Sequence, residues 1–442
     1  MADANDPAHA LKTVLIIGAY GLIGSGIAQH LTGAGHQVIG FGRQIDTGKR
    51  VLPTLEWRSG DMRFLIKDTD WEPLLVDVDV VVNCSGALQD GPQDDLEIVH
   101  HHAIAALANA CTARGVQIIQ ISATGADLDA STPFLASKAR GDAAIQRSGA
   151  RHVILRPGLV LARHSYGGSA MLRMLAAVPW VQPIALPDAK IQTIGLDDLA
   201  ATVSAAVLNA LPDGFVGDLV EAETHSLRDV VASMRSWLGF APAKAEIAIP
   251  KAITQILSKA ADALALLGWR SPLRTTAVRV LSDGVTGVHQ DLSRFGLPPI
   301  KSLQHTLAHM PARVEDRLFA RMSLLTPIII ATLVVFWFLS GAIGFLRASQ
   351  AALVLQDAGW SQSLALASVL FWAVVDIAIA AAFAYRPFAK QACWCAVAVS
   401  LFYLGASTLF VPSLWLDPLG PLIKIFPGIT LALVARAALE TR

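Results

Sequence analysis

Short apolar runs alternate with helix-like stretches along the first half of the chain. Val14 to Ile17 form a continuous run of β-branched residues and leucine, and residues 96–114 have helical spacing of apolar side chains. Similar short runs recur at 77–87, 116–126 and 152–162. Uninterrupted runs of this length are typical of strands buried on both faces of a parallel sheet. The alternation predicts an α/β fold, a doubly wound parallel sheet followed by a small second lobe.

The last quarter of the chain has a different pattern. Apolar stretches with few charges lie at about 323–346, 362–385, 392–411 and 419–439. Each approaches or exceeds the ~20 residues that a helix needs to cross a bilayer. The pattern predicts an all-α bundle of four transmembrane helices, with the lipid bilayer as a partner.

These patterns divide the chain into four predicted parts. They are an N-terminal tail (1–11), the α/β core (12–165), the remainder of that domain with its second lobe (166–320), and a four-span membrane domain (321–442).

Charge and composition limit the classes of binding partner that the sequence supports. Lys plus Arg and Asp plus Glu both total 35, so the charge balance gives no support to a nucleic-acid partner. Charged residues make up 16% of the chain, below the quarter or so usual in soluble proteins. The four cysteines have no zinc-type spacing. The run His100, His101 and His102 fans out by about 100° per residue on a helix, so we predict no metal and expect a solvated helix face.

Basic residues flank the predicted spans unevenly. They lie before span one (Arg313, Arg317, Arg321), between spans two and three (Arg386, Lys390) and at the end of the chain (Arg436, Arg442). Because such residues favour the cytoplasmic side, both termini are predicted to be cytoplasmic. The start of the chain lacks the basic and apolar segments of a signal peptide. We therefore expect a multi-pass protein of a bacterial-type inner (cytoplasmic) membrane.

A glycine triplet follows the first apolar run. Gly18 would permit a sharp turn, Gly21 would let the backbone approach a pyrophosphate, and Gly24 would let the next helix pack closely on the sheet. The helix that begins there would offer free amide groups to the phosphates. We predict a Rossmann-type nicotinamide nucleotide site here, with contacts from Gly18, Tyr20, Gly21, Leu22, Ile23 and Gly24.

The end of the second apolar run indicates which nucleotide is bound. NAD sites usually place an acid there for the ribose hydroxyls, whereas NADP sites place a basic group for the 2′-phosphate. The sequence reads "IGFGRQ", with Arg43 and no acid before Asp46. NADP(H) is therefore favoured over NAD(H), although a solvated surface charge would also account for Arg43.

Several segments together resemble the short-chain dehydrogenase/reductase family, in its extended or atypical branch, over roughly residues 12–300. They are "GAYGLIG", "SGD", "CSGA", "ISATGA", "FLASK", "LRPGLVLA" and "TIGLDDLAATV". The resemblance implies that Asp61 and Met62 lie at the adenine and that Gly86 and Ala87 lie beside the cofactor. It also places Ser122 at the catalytic serine and Lys138 at the catalytic lysine.

Two further resemblances concern the layout of the whole chain. The first part is similar to the nucleotide-binding accessory subunit of respiratory complex I. The membrane part, with "FWFLSGAIGFL" in its first span, resembles the DoxX-like family.

The catalytic tyrosine of the dehydrogenase family is replaced by Phe134. A phenyl ring carries no ionisable proton, so that general-acid step is lost, usually at a cost of about two to four orders of magnitude in rate. Lys138 can still hold the nicotinamide ribose. Ser122 keeps its hydroxyl, either for catalysis or as a satisfied serine at a strand end. Tyr20, His164 and Tyr166 are candidates for a replacement acid, and we favour ordinary loop roles for them.

Asp376 lies near the middle of the second predicted span. A carboxylate at that depth is costly, which makes it a functional candidate. The alternative is a protonated Asp376 that hydrogen-bonds a neighbouring helix, for instance at Ser400 or Tyr403.

Two hypotheses of function follow. One is a membrane-anchored NAD(P)(H)-dependent oxidoreductase that acts on a membrane-associated substrate. The other is a catalytically silent nucleotide-binding sensor, or an assembly or structural module of a membrane complex with a membrane protein partner.

Overall fold

The computed structural model describes residues 11–91, 94–269 and 271–440. The chain divides into two compact units: the first comprises 1–262 and 271–317, and the second 263–270 and 318–442. Nearly all of the predicted N-terminal tail, and Arg442 among the basic residues used to predict orientation, lie outside the described residues.

The strands are, in chain order, β1 (Thr13–Ile17), β2 (Gln37–Gly42), β3 (Glu56–Ser59), β4 (Val80–Asn83), β5 (Gln117–Ile121), β6 (His152–Pro157), β7 (Leu159–Leu161), β8 (Val181–Ala185), β9 (Lys190–Ile191), β10 (Thr193–Gly195), β11 (Phe215–Leu219), β12 (His225–Ser226) and β13 (Ala245–Ile249). The α-helices are α1 (Leu22–Gly33), α2 (Ile45–Val51), α3 (Asp68–Trp71), α4 (Ala103–Arg114), α5 (Pro133–Ser148), α6 (Gly168–Ala176), α7 (Leu196–Val207), α8 (Leu227–Trp237), α9 (Lys251–Leu266), α10 (Thr275–Asp283), α11 (Leu303–His309), α12 (Val314–Leu346), α13 (Ala348–Asp357), α14 (Gln362–Ala384), α15 (Arg386–Phe410) and α16 (Ile425–Glu440). A π-helical turn, Ile98–His102, leads directly into α4.

Seven strands form one sheet in the order β11-β6-β5-β4-β1-β2-β3, and every neighbouring pair is parallel. This confirms the predicted doubly wound sheet. Because the chain proceeds from β1 toward β3 in one direction and from β4 toward β6 in the other, a crevice opens beyond the carboxyl ends of β1 and β4. Ligands of such sheets bind in that crevice.

The alternation of side chains along β1 explains why the sheet is covered on both faces. Val14 and Ile16 pack with residues of α1 and α7 on one face. Leu15 and Ile17 pack with residues of α4 and α5 on the other. Since successive side chains of a strand point to opposite faces, a continuous apolar run needs helices on both sides.

The apolar run at 152–162 was predicted as one strand and forms two. β6 pairs with β5 and β11 in the main sheet, whereas β7 pairs with β10 in a separate ribbon. Gly158 lies between them, where a Cβ would overlap the carbonyl oxygen of Gln192. The second lobe contains two further small ribbons, β8 with β13 and β9 with β12.

In the second unit, three described helices are long and apolar enough to cross a membrane: α12, α14 and α15. A helical membrane domain was therefore correctly predicted, but its fourth span is shorter than expected. Among the described residues, the last apolar helix covers only Ile425–Leu439. Pro418 and Pro421 lack backbone N–H groups and prevent a regular helix from running through 418–424.

The third span also begins earlier than predicted. α15 starts at Arg386, so Arg386 and Lys390 lie in its first turns rather than in a loop between spans. Pro387 is compatible with this start, because the first turn of a helix does not need that residue's N–H group.

Candidate nucleotide site and catalytic positions

The glycine loop lies in the crevice between β1 and β4. Gly18 has a φ of 74°, a left-handed conformation that favours glycine, and a Cβ there would approach the backbone of Cys84 to 3.2 Å. Gly21 caps α1, and its extended backbone leads into a first turn that contains no acidic residue. A Cβ on Gly24 would overlap the carbonyl of Gly18. The first amides of α1, at Leu22 and Ile23, follow this loop, and the first turn of the helix contains no acidic residue that would oppose a phosphate.

Tyr20 packs against the end of β2. Its ring lies directly over Gly42, where a Cβ would overlap it, and 6.0 Å from the ring of Trp57. Tyr20 is thus a packed loop residue beside Arg43, the next residue after β2.

Two ion pairs surround the position predicted for the adenosine. Arg43 Nη2 lies 3.0 Å from Asp94 Oδ1, and Arg63 Nη2 lies 2.7 Å from Asp61 Oδ2. Burial acts to raise the pKa of Asp61, but the hydrogen bonds from Arg63 outweigh it and lower that pKa overall. Met62 is buried in the core beneath this edge. Asp94 was missed by sequence reasoning, because it lies 51 residues from Arg43 in a loop without a recognisable motif.

Lys138 joins the carboxyl ends of two strands. Its Nζ donates to the carbonyl oxygens of Ser85, at 3.2 Å, and Ile121, at 3.0 Å. The side chain is buried, and burial lowers the pKa of Lys138 although Asp142 and Cys84 act to raise it. An ammonium has three protons, so one remains for a ligand beside Gly86, where a Cβ would lie 3.4 Å from Nζ.

The hydroxyl group of Ser122 binds a carboxylate of the protein itself. Its Oγ donates to Asp142 Oδ2 at 2.8 Å, and Arg156 Nη2 donates to the same oxygen at 3.1 Å. Burial raises the pKa of Asp142, and the bonds from Ser122 and Arg156 oppose that shift. The hydroxyl proton of Ser122 is thus used within the protein, as in the satisfied-serine interpretation. Sequence reasoning missed Asp142, although it follows Lys138 by four residues and shares its helix face.

Phe134 lies beside a buried histidine. The imidazole of His100 stands edge-on to the Phe134 ring, with centroids 5.7 Å apart. His100 Nε2 accepts a hydrogen bond from the Ala87 amide at 3.1 Å, and Nδ1 lies 2.9 Å from Ser137 Oγ. Ser137 Oγ in turn donates to the carbonyl oxygen of Phe134 at 3.0 Å.

This chain of hydrogen bonds determines the protonation state and the tautomer of His100. Since Ala87 can only donate and the Phe134 carbonyl can only accept, the imidazole is neutral with its proton on Nδ1. Burial lowers the pKa of His100 well below 6.5, and the Lys138 ammonium lowers it further. Both ends of the chain are backbone groups, which do not titrate, so His100 has no proton to relay to a substrate.

The predicted solvated helix face was wrong for His100, which is 1% exposed. Two features that sequence reasoning missed explain its burial. The π-helical turn at Ile98–His102 changes the direction of the side chains. Gly141 lets the backbone of α5 approach so closely that a Cβ there would overlap the His100 carbonyl.

Neighbouring histidines also converge more than expected. Glu97, His101 and His102 offer potential ligand atoms within 4.8 Å of one another. Glu97 already accepts hydrogen bonds from Arg140 at 3.0 Å and lies 2.7 Å from His101 Nδ1. Because Arg140 supplies the positive charge that Glu97 needs, we assign no metal to this cluster. The other positions considered as acids, His164 and Tyr166, are exposed loop residues.

Family models match two separate parts of the chain. Residues 18–172 match an NAD(P)H-binding family, and residues 334–433 match a DoxX-like family. The protein therefore joins an NAD(P)-binding domain to a DoxX-like membrane domain. Among curated proteins, none matches the sequence. The resemblance to the complex I accessory subunit stays a prediction.

Solved structures share the fold of the first unit. Triphenylmethane reductase of Citrobacter sp., complexed with NADP(H), is 16% identical with a TM-score of 0.52, over 67% of this chain and 99% of that one. The NADPH-dependent quinone oxidoreductase QOR2 of Escherichia coli, complexed with NADPH, is 18% identical with a TM-score of 0.51, over 67% and 99%. WbmH of Bordetella bronchiseptica, in complex with NAD+, is 16% identical with a TM-score of 0.50, over 67% and 96%. Two of these neighbours were solved with NADP(H) or NADPH and one with NAD+, so they do not determine which nucleotide this chain binds.

Proposed function

We propose that the protein is a membrane-anchored NADP(H)-binding sensor that holds the nucleotide without reducing a carbonyl. The observation that carries this proposal is the bond from Ser122 to Asp142 in a site where Phe134 replaces the proton donor. A carbonyl would meet neither a donor hydroxyl nor a general acid, whereas the nucleotide-binding groups do not depend on either.

The choice of NADP(H) rests on the end of β2. Arg43 lies there, and its partner Asp94 is a half-buried carboxylate with a side chain that is 22% exposed. A 2′-phosphate has more charge and more acceptor oxygens than a carboxylate, so it would compete effectively for the guanidinium.

We place the nucleotide domain on the cytoplasmic side of a bacterial-type inner membrane. The support is the cluster of Arg313, Arg317 and Arg321 at the beginning of α12, before its apolar part, since such residues favour the cytoplasmic side.

A second candidate function is hydride transfer to a membrane-associated acceptor that needs no proton from the protein at the same step. A cavity of 550 Å³ favours it, because Thr132 and Pro133 at the start of α5 line this cavity together with Lys251 and Arg279. Two structural neighbours are named for the acceptors that they reduce, a quinone and a triphenylmethane. The positively charged side chains of Lys251 and Arg279 in the lining would stabilise an acceptor that gains negative charge.

The full chain in detergent micelles distinguishes the two functions. NADPH affinity is measured by calorimetry, and NADPH oxidation is followed at 340 nm, the absorption of the reduced nicotinamide, with a soluble quinone and with a panel of aldehydes and ketones. We expect binding without oxidation. Quinone-dependent oxidation that falls in Arg279→Gln would establish the second candidate instead, and lack of NADPH binding would refute both.

A further inference from the structure

The second unit contains a cavity of 380 Å³. This volume is within the range of about 300–1,000 Å³ that small-molecule sites occupy. Residues of α12, α13, α14 and α15 line it, and its aromatic members are Trp360, Trp372, Phe402, Tyr403 and Phe410. The proposed nucleotide function makes no use of this cavity.

Asp376 lies on the wall of the cavity and is only 4% exposed. Ser340 Oγ donates to its Oδ2 at 2.6 Å, and Tyr403 Oη donates to its Oδ1 at 2.7 Å. Of the two partners predicted from sequence, Tyr403 is present, while Ser340 stands in place of Ser400. Each oxygen of the carboxyl group therefore accepts a hydrogen bond from a neutral hydroxyl group.

The described lining of the cavity offers Asp376 no positively charged neighbour. The hydrogen-bond partners of Asp376 in the described part of the chain are two neutral hydroxyls. The lining residues of the cavity that the structure describes include no Lys, Arg or His. An ionised acid buried among apolar helices requires a compensating cation or a proton.

The aromatic side chains supply a second attraction for a cation. Trp372 stacks on Phe402 with centroids 4.5 Å apart, and it meets Tyr403 edge-on at 5.4 Å. Trp360 and Phe410 form another edge-on pair at 5.4 Å. The faces of such rings attract ammonium groups and also accept apolar surface.

We propose that this cavity binds a small organic cation, an ammonium group attached to a flat apolar body. The ammonium would neutralise Asp376, and the body would pack among the rings of Trp372 and Phe402. A metal ion is disfavoured, because hard cations take six or more oxygen ligands and most of this lining is apolar. A neutral ligand would leave the charge of Asp376 unbalanced.

The test compares two probes of nearly identical shape on the full chain in nanodiscs. They are 2-phenylethylammonium and its neutral counterpart 2-phenylethanol, titrated by calorimetry at neutral pH. We expect wild type to bind the ammonium at least roughly tenfold more tightly than the alcohol. Asp376→Asn keeps the shape of the side chain and removes its charge, so it should abolish that preference. Asp357→Asn, at an exposed acid that ends α13, is the matched control and should leave it unchanged.

A second variant keeps the test valid if Asp376→Asn does not fold. Phe402→Leu retains the carboxylate and should weaken binding of both probes by removing one ring. Equal affinity for the two probes, an unchanged preference in Asp376→Asn, or no binding of either probe to wild type would each overturn the proposal. Equal affinity would indicate that Asp376 holds a proton instead.

Discussion

The hydroxyl of Ser122 donates a 2.8 Å hydrogen bond to the carboxylate of Asp142, and Arg156 binds the same oxygen. In the dehydrogenase family this serine polarises the substrate carbonyl, a role that requires its proton to point at the substrate. Here that proton points into the protein. Under the proposed function, carbonyl reduction is lost at two positions, Ser122 and Phe134, rather than at one.

The first prediction concerns Phe134→Tyr. Restoring the tyrosine restores only one of the two lost functions, so we expect no carbonyl-dependent oxidation of NADPH above the wild-type background. Phe134 is partly exposed, so the added hydroxyl has access to solvent, and NADPH affinity should change by less than about threefold.

Phe134→Leu serves as the control for changes at this position, because it alters packing without adding a hydroxyl. A rise of roughly 100-fold in carbonyl reduction for Phe134→Tyr alone, the size expected of a working general acid, would show that Ser122 is free to act and that the sensor proposal is wrong.

The second prediction tests the glycine loop. Gly21→Asp places a carboxylate at the beginning of α1, where the phosphates are expected, and should weaken NADPH binding roughly 100-fold. Gly33→Asp adds the same charge to the opposite end of α1, where a side chain would meet open space, and should leave affinity nearly unchanged. Equal affinities of the two variants in calorimetry would show that the nucleotide lies elsewhere.

The third prediction tests the choice of nucleotide. Arg43→Ala should lower the affinity for NADPH roughly 10- to 100-fold, which is the contribution of a charged hydrogen bond. The affinity for NADH should remain nearly unchanged. Asp94→Asn removes the carboxylate that binds Arg43 and should therefore raise the affinity for NADPH. Similar losses for both nucleotides in Arg43→Ala would contradict a phosphate-binding role.

The fourth prediction concerns pH. The pKa of His100 in the folded protein is well below its unfolded value of about 6.5. Its contribution to stability is therefore complete above pH 6.5 and is lost as the pH falls toward the folded pKa. Hydrogen exchange in α4 and α5, corrected for the intrinsic rate, should accelerate between about pH 7.5 and pH 5.5.

His100→Gln keeps a donor and an acceptor at this position but does not titrate, so its corrected exchange should depend less on pH than that of wild type. Lys138 and Asp142 are present in both proteins, and the difference between them therefore isolates His100. His102→Gln, at an exposed position, should behave as wild type does. The same pH dependence in all three proteins would rule out the assigned state of His100.

The sheet and the glycine loop could be predicted because their signals are local. A continuous apolar run such as Val14 to Ile17 predicts a central strand, and Gly18 follows it directly. The partners of Arg43 and Ser122 could not be predicted, since Asp94 is 51 residues from Arg43 and Asp142 is 20 residues from Ser122, across a loop and part of α5. Only the folded chain brings them together.

His100 was mispredicted for a different reason. A regular helix was assumed for 96–114, and in such a helix three consecutive histidines diverge. The π-helical turn at Ile98–His102 has no reliable sequence signal. Pro421, by contrast, was visible in the sequence near the start of the fourth predicted span, and it indicated a later start for that helix.

The short length of α16 makes bilayer thickness relevant to this protein. Its apolar part, Ile425–Leu439, would be about 22 Å long at 1.5 Å per residue, compared with about 30 Å of hydrocarbon. A helix this short crosses most easily where the bilayer is thin or thins locally. Since three crossings leave the two chain ends on opposite sides and four return them to the same side, the lipid composition of the host membrane would influence where the C-terminus lies.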